Sequence, residues 1–140
     1  DILVPDAGGY LGNAVWGGLM TEAAVLKKLG GLVIDGAVRD SDEIIEMGFN
    51  VFSRAIVPAG PHKGFGGVID APVACGGVVV RPGDLIIGDA DGVMVVPFAK
   101  LDETFEAAEA ILAKEARALA SLAKGGSLAE VYGVPEITKI

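Results

Sequence analysis

Residues 31 to 40 read "GLVIDGAVRD". The apolar run from Leu32 to Val38 is short and nearly unbroken, the pattern of a strand covered on both faces rather than one with a wet side. It ends in a cation and a carboxylate, Arg39 and Asp40, so both side chains emerge at a strand's C-terminal end, where open α/β sheets carry their sites. Working outward, residues 14 to 29 place Val15, Leu19, Ala23, Leu26 and Leu29 near helical spacing and stop at Gly30, which predicts a helix before the strand. Residues 41 to 47 predict a short second helix closed by Gly48, and apolar runs at 2 to 4 and 51 to 57 supply strands on either side. The first half reads β-α-β-α-β, an α/β arrangement.

Beyond residue 51 the pattern changes. From the run at 51 to 57 onward, apolar runs at 67 to 69, 78 to 80, 85 to 87 and 93 to 96 alternate with Pro/Gly turns, "PAGP" (58–61), "RPGD" (81–84) and "DADG" (89–92), which reads as an antiparallel meander. Residues 101 to 124 then bring Phe105, Ala108, Ile111, Leu112, Leu119 and Leu122 near helical spacing, predicting a long C-terminal helix, and "VYGVPEI" after it reads as a short docking segment. With no repeat or linker, residues 1 to 140 read as a single domain.

Composition narrows the function. Hydrophobic residues make up 51% of the 140 and charged residues 21%, a packed rather than a disordered chain. A net charge of -8 without any Lys/Arg cluster excludes a nucleic-acid binder, while a basic protein partner remains open. No apolar run approaches the roughly 20 residues that span a bilayer, and no signal-type segment opens the sequence. The single cysteine, Cys75, excludes an internal disulfide and a zinc site built on several thiolates, so a reducing cytoplasm is the expected compartment. Asp1 leads at once into an apolar run, and native residues are expected to precede it.

Several motifs invite chemistry. The glycines of "DAGGYLGNAVWGG" (6–18) lack dinucleotide or phosphate-loop spacing, but Gly17 and Gly18 let backbone N–H groups face an anion such as a carboxylate; plain helix–sheet contact is the other reading. "DADG" is better read as a turn than as part of a calcium loop, His62 as a loop residue and Cys75 as an inert thiol. Arg39 and Asp40 also have two readings. In the structural one Asp40 caps the short helix, with Glu43 completing a variant capping box. In the chemical one Asp40 supplies the carboxylate that a hard ion such as Mg²⁺ needs, Asp42 and Glu43 hold the ion's waters, and Arg39 clamps an oxyanion with its planar fork. An ion chelated by a 2-oxo acid at such a place would promote C3–C4 cleavage to an enolate, which is lyase chemistry.

Taken in order, "GNAVWGGLMTEAA" (12–24), "GLVIDGAVRDSDEI" (31–44), "GFNVFSRAIVPAGP" (48–61), "APVACGGVVVRPGDLIIGDADGVMVVP" (71–97) and the final helix with "VYG" (131–133) resemble the RraA-like family, which includes class II pyruvate aldolases acting on 4-hydroxy-4-methyl-2-oxoglutarate. The resemblance implies a swivelling β/β/α fold assembled as homotrimers or homohexamers with sites at subunit interfaces. It implies Mg²⁺ or Mn²⁺, retro-aldol cleavage of 4-hydroxy-2-oxo diacids to pyruvate, and oxaloacetate decarboxylation alongside. Carried onto matching positions, Asp40 is the metal ligand, Arg39 holds the pyruvyl oxygens, the amides of Leu19 and Met20 after Gly18 bind the substrate carboxylate, and Glu115 is the glutamate that a neighbouring subunit's C-terminal helix contributes. Family members begin well upstream of Asp1, so the resemblance places this sequence in the C-terminal two-thirds.

There is one departure. The aldolases carry an acidic residue twenty-one positions before the arginine, where this sequence has Gly18, and Glu43 is the carboxylate available to replace it. That pattern is similar to relatives nearer the regulator of ribonuclease activity. Two expectations follow: a metal-dependent lyase, with decarboxylation the activity least affected by the glycine, and a non-catalytic regulator whose acidic surface meets a ribonuclease.

Overall fold

The computed structural model describes residues 1–64 and 66–135, which fall into two compact units, Asp1–Phe98 and Ala99–Ile140. The first unit is built around β3 (Gly31–Val38), buried along almost its whole length. β1 (Ile2–Leu3) and β2 (Ala14–Trp16) pair parallel with its first and last parts on one edge, and β4 (Val51–Ile56) pairs parallel along the other. Helix α1 (Gly18–Leu26) links β2 to β3, and α2 (Ser41–Glu46) links β3 to β4. Both crossovers contribute to one core in which Ala24 and Ile44 pack with Leu32, Ile34 and Val38, and Trp16 stacks on Phe49 with ring centroids 6.4 Å apart. Leu32 has no exposed surface, and full burial of such a side chain contributes about 1.5–3 kcal/mol. As the sequence predicts, α2 stops at Gly48, whose φ of +65° a side chain would resist.

The antiparallel half consists of two separate hairpins, β5 (Val73–Cys75) with β6 (Val78–Val80) and β7 (Leu85–Asp89) with β8 (Gly92–Val96). The "DADG" turn closes the second of them, with the Asp91 N–H donating to Asp89 Oδ1 at 2.8 Å.

Two sequence expectations are corrected. The helix expected over 14 to 29 and closed by Gly30 runs only from Gly18 to Leu26: Ala14 and Trp16 are buried while Val15 is exposed, a period of two that suits β2, and the chain turns left-handed at Lys28 (φ +56°), before Gly30. The run at 67 to 69 forms no strand, and Val68 and Ile69 are 84% and 88% exposed.

In the second unit α3 (Leu101–Leu122) is followed by α4 (Leu128–Tyr132). A capping box starts α4: Ser127 Oγ accepts from the Glu130 N–H at 3.3 Å and Glu130 Oε2 accepts from the Ser127 N–H at 3.1 Å. Lys114 Nζ lies 4.3 Å from the Tyr132 ring centre, joining the two helices. The last two residues of "VYGVPEI" lie outside the described residues.

Candidate functional site

The site forms where β2 and β3 end together. The Arg39 N–H donates to the Trp16 carbonyl at 3.0 Å, which sets Gly17 and Gly18 beside Arg39 and Asp40. The glycine turn is held from below. Trp16 Nε1 donates to Thr21 Oγ1 at 2.8 Å, and Thr21, fully buried, donates its hydroxyl to the Gly17 carbonyl at 3.2 Å. The same carbonyl accepts from the Met20 and Thr21 N–H groups, each at 3.1 Å.

Asp40 does not cap α2. Its backbone is left-handed (φ +57°, ψ +41°) and its side chain makes no cap bond. This conformation costs a non-glycine residue about 1–3 kcal/mol, less for aspartate than for most, and it turns the carboxylate back over the glycines. There Oδ2 accepts from the Gly18 N–H at 3.0 Å and lies 3.5 Å from Arg39 Nε. The capping-box expectation is corrected accordingly, since the competing acceptor bond comes from a residue twenty-two positions upstream.

Side chains pack close over both glycines, and neither has a positive φ. A Cβ on Gly17 would sit 2.6 Å from Asp40 Oδ2 and 2.9 Å from Arg39 Cγ, and one on Gly18 would collide with Glu43 Oε2. The Glu43 carboxylate therefore occupies the space into which a side chain at position 18 would project. Arg39, Asp40, Asp42, Glu43, Val57 and Pro58 line an open cleft of about 430 Å³. Leu19, 87% exposed, and Met20 continue the turn; the Met20 N–H is engaged by the Gly17 carbonyl. Glu115 lies on α3 in the second unit.

Among the described residues, no group of three or more His, Cys, Asp or Glu side chains is placed to hold a metal ion. A closed cage of the zinc type thus has no counterpart there. A single partly exposed carboxylate beside an open cleft fits Mg²⁺, which retains waters and takes substrate oxygens.

Two features of the first unit are not announced by its motifs. Asp35, inside β3, accepts from the Gly76 N–H at 2.8 Å and from Arg54 Nη1 at 3.1 Å. An acid within an otherwise apolar buried run is the signal that could have flagged it. Asn13 Nδ2 donates to the Gly60 carbonyl at 2.7 Å, a link no local pattern announces. Cys75 lines an apolar cavity of about 250 Å³ with Val33, Phe52, Val80 and Ile86, and burial first, then the Asp35 charge, pushes its thiol pKa up, so it stays protonated and inert at neutral pH.

The model of the RraA-like family, described as Aldolase/RraA, matches residues 1–95. A protein of Halalkalibacterium halodurans named "Putative 4-hydroxy-4-methyl-2-oxoglutarate aldolase" is 38% identical over 109 residues, 78% of this chain and 52% of that protein. A crystal structure of an uncharacterized protein from Pseudomonas syringae superimposes with a TM-score of 0.82 at 29% identity, over 94% of this chain and 66% of that one. The RNA-processing inhibitor RraA from Thermus thermophilis superimposes with a TM-score of 0.64 at 35% identity, over 69% of this chain and 58% of that one. The chain spans between about half and three fifths of the length of the curated relatives it matches first. No helix among the described residues is long and apolar enough to cross a membrane.

Proposed function

The chain belongs to the RraA-like family, and from that premise we propose that it is a divalent-metal-dependent carbon–carbon lyase acting on small 2-oxo acids, by retro-aldol cleavage of 4-hydroxy-2-oxo diacids to pyruvate, by oxaloacetate decarboxylation, or by both. One observation carries the reading: the Asp40 carboxylate forgoes its helix cap to lie over Gly17–Gly18 beside Arg39, a placement that serves a ligand better than it serves α2. Mg²⁺ or Mn²⁺ held by Asp40 would polarise the 2-oxo group and stabilise negative charge there.

The chain's own residues supply the rest. Arg39 offers a permanently charged planar fork to the pyruvyl oxygens. The turn after Gly18 presents backbone N–H groups at the start of a nine-residue helix, and with Met20 engaged the Leu19 amide is the better candidate for the substrate carboxylate. Glu43 takes the proton of the substrate's 4-hydroxyl in the retro-aldol direction, from the space left by Gly18. Decarboxylation has no hydroxyl proton to remove and so depends less on Glu43.

We place the sites at interfaces of a homotrimer or homohexamer in the cytoplasm. Phe105, Leu112 and Leu119 recur every seven residues on α3 at 53%, 63% and 67% exposure, and Glu115 lies within the same stripe. A second reading, a non-catalytic regulator binding a ribonuclease, is favoured by the likeness to the Thermus inhibitor and by the net charge of -8. Pyruvate release from oxaloacetate, with and without Mg²⁺, in the native protein and in Asp40→Ala separates them. Metal-dependent turnover lost in the variant is the expected result. Equal rates in both proteins remove the site assignment, and no turnover in either favours the regulator.

A further inference from the structure

The connection after β4 lines the cleft with Val57 and Pro58 and then passes near Arg39, since a Cβ built on Gly60 would sit 3.3 Å from Arg39 Nη1. Three hydrogen bonds hold this stretch. The Val57 N–H donates to the Val38 carbonyl at 2.9 Å and the Ala14 N–H to the Ala59 carbonyl at 2.7 Å, both backbone bonds that any sequence could make. The third is made by a side chain, Asn13 Nδ2 to the Gly60 carbonyl at 2.7 Å, and it falls on the residue beside the guanidinium. Asn13 is itself oriented, because the Tyr10 hydroxyl donates to its Oδ1 at 3.3 Å and leaves the amide nitrogen to face Gly60.

The Arg39 side chain is 45% exposed, and its Nε lies 3.5 Å from Asp40 Oδ2. A 3.5 Å contact at that exposure holds the guanidinium weakly, and Gly60 is the glycine on the side of the outer fork, as Gly17 is on the side of Cγ and Nε. We propose that Asn13 is a positioning residue for Arg39: by pinning Gly60 it holds in place the backbone beside Nη1, and so limits the orientations in which the fork meets the substrate's carboxylate and oxo group. The part played by substrate rests on the lyase reading; the geometric part does not.

The experiment measures both. Phenylglyoxal, a dicarbonyl that modifies guanidinium groups, is applied to the native chain, Asn13→Ala and Asn13→Asp, and modification is located by peptide mass spectrometry. Aspartate keeps the size of Asn13 but cannot donate to Gly60. Both variants are expected to label Arg39 about fivefold faster, the population change that follows loss of one hydrogen bond. Arg54, held by Asp35 elsewhere in the same unit, should label at the native rate. In the same proteins KM for oxaloacetate should rise about fivefold with kcat close to native, because a fork that must be ordered by its ligand weakens binding and leaves the bound complex unchanged.

Equal Arg39 labelling in all three proteins overturns the proposal, as does acceleration at Arg54 by the same factor, which would mean general loosening. Faster Arg39 labelling with an unchanged KM overturns the link to substrate. If no protein turns over while the labelling difference persists, the lyase reading falls and the assignment of Asn13 to Arg39 stands. Should Asn13→Ala not fold, Tyr10→Phe removes the hydroxyl that orients the amide and must raise Arg39 labelling in the same direction.

Discussion

At the scale of single residues, Asp40→Asn distinguishes a capping role from a ligand role. Asparagine tolerates the left-handed backbone, and its amide oxygen can still accept from the Gly18 N–H, so the melting temperature should move by less than about 4 °C. Loss of partners that merely orient a metal's ligands costs about 10–100-fold, so losing the ligand itself should lower metal-dependent turnover more than roughly 100-fold. Circular dichroism melts and pyruvate release measure the two quantities. Glu43→Gln makes a finer test: retro-aldol cleavage should fall by about 10² to 10⁴, the usual weight of a general base, while oxaloacetate decarboxylation stays near native. Gly18→Asp combined with Glu43→Ala should restore part of the aldol cleavage that Glu43→Ala loses, because alanine vacates the space over position 18 and the new carboxylate projects into it. Much of this site was legible in the sequence, since a buried strand that ends in Arg39-Asp40 announces itself in one dimension. The turn of Asp40 away from α2 was not. The spacing of Asp40 and Glu43 matches a capping box, and only the approach of Gly17 and Gly18 from another strand end decides against it.

At the scale of elements, Asp35 joins three of them. It leaves β3 at the register shift between Ile34 and Ala37, takes the Gly76 N–H from the β5–β6 turn, and pairs with Arg54 on β4. The Gly76 bond first and Arg54 second hold its pKa below the ordinary 3.8. A carboxyl group depressed in the folded state adds stability that is present above the unfolded value and lost as pH falls through the folded one. Asp35→Asn should therefore melt below the native protein near neutral pH, and the gap should narrow as pH drops below 3.8. A gap that stays constant across that range would show that the carboxylate's charge does not hold the hairpin. Element identity was partly readable for physical reasons. β3 and α2 were found because burial on both faces and a closing glycine are local signals. β2 was missed because three residues are too few to display alternation against the helical spacing that continues from Val15. The run at 67 to 69 forms no strand because an apolar run shows only that a strand could form, and among the described residues no ladder partner meets it.

At the scale of the whole molecule, the stripe of α3 makes a claim that neither residue nor element can test alone. Phe105, Leu112 and Leu119 share it with Glu115, and a carboxylate inside an exposed apolar seam gains most if the seam packs on another subunit and delivers the acid to that subunit's cleft. Leu112→Glu with Leu119→Glu should then lower the mass seen by light scattering to that of one chain and abolish turnover, whereas Glu115→Gln should keep the assembled mass and lose turnover. Subunit mixing gives the stricter test. If each site takes Asp40 from one chain and Glu115 from its neighbour, co-expression of Asp40→Asn and Glu115→Gln chains in equal amounts forms some sites in which both residues are native. For random cyclic assembly each site draws two independent chains, so about a quarter of the native activity should return from two inactive parents. If both residues of a site come from the same chain, every site in the mixture carries one lesion and no activity returns at any mixing ratio.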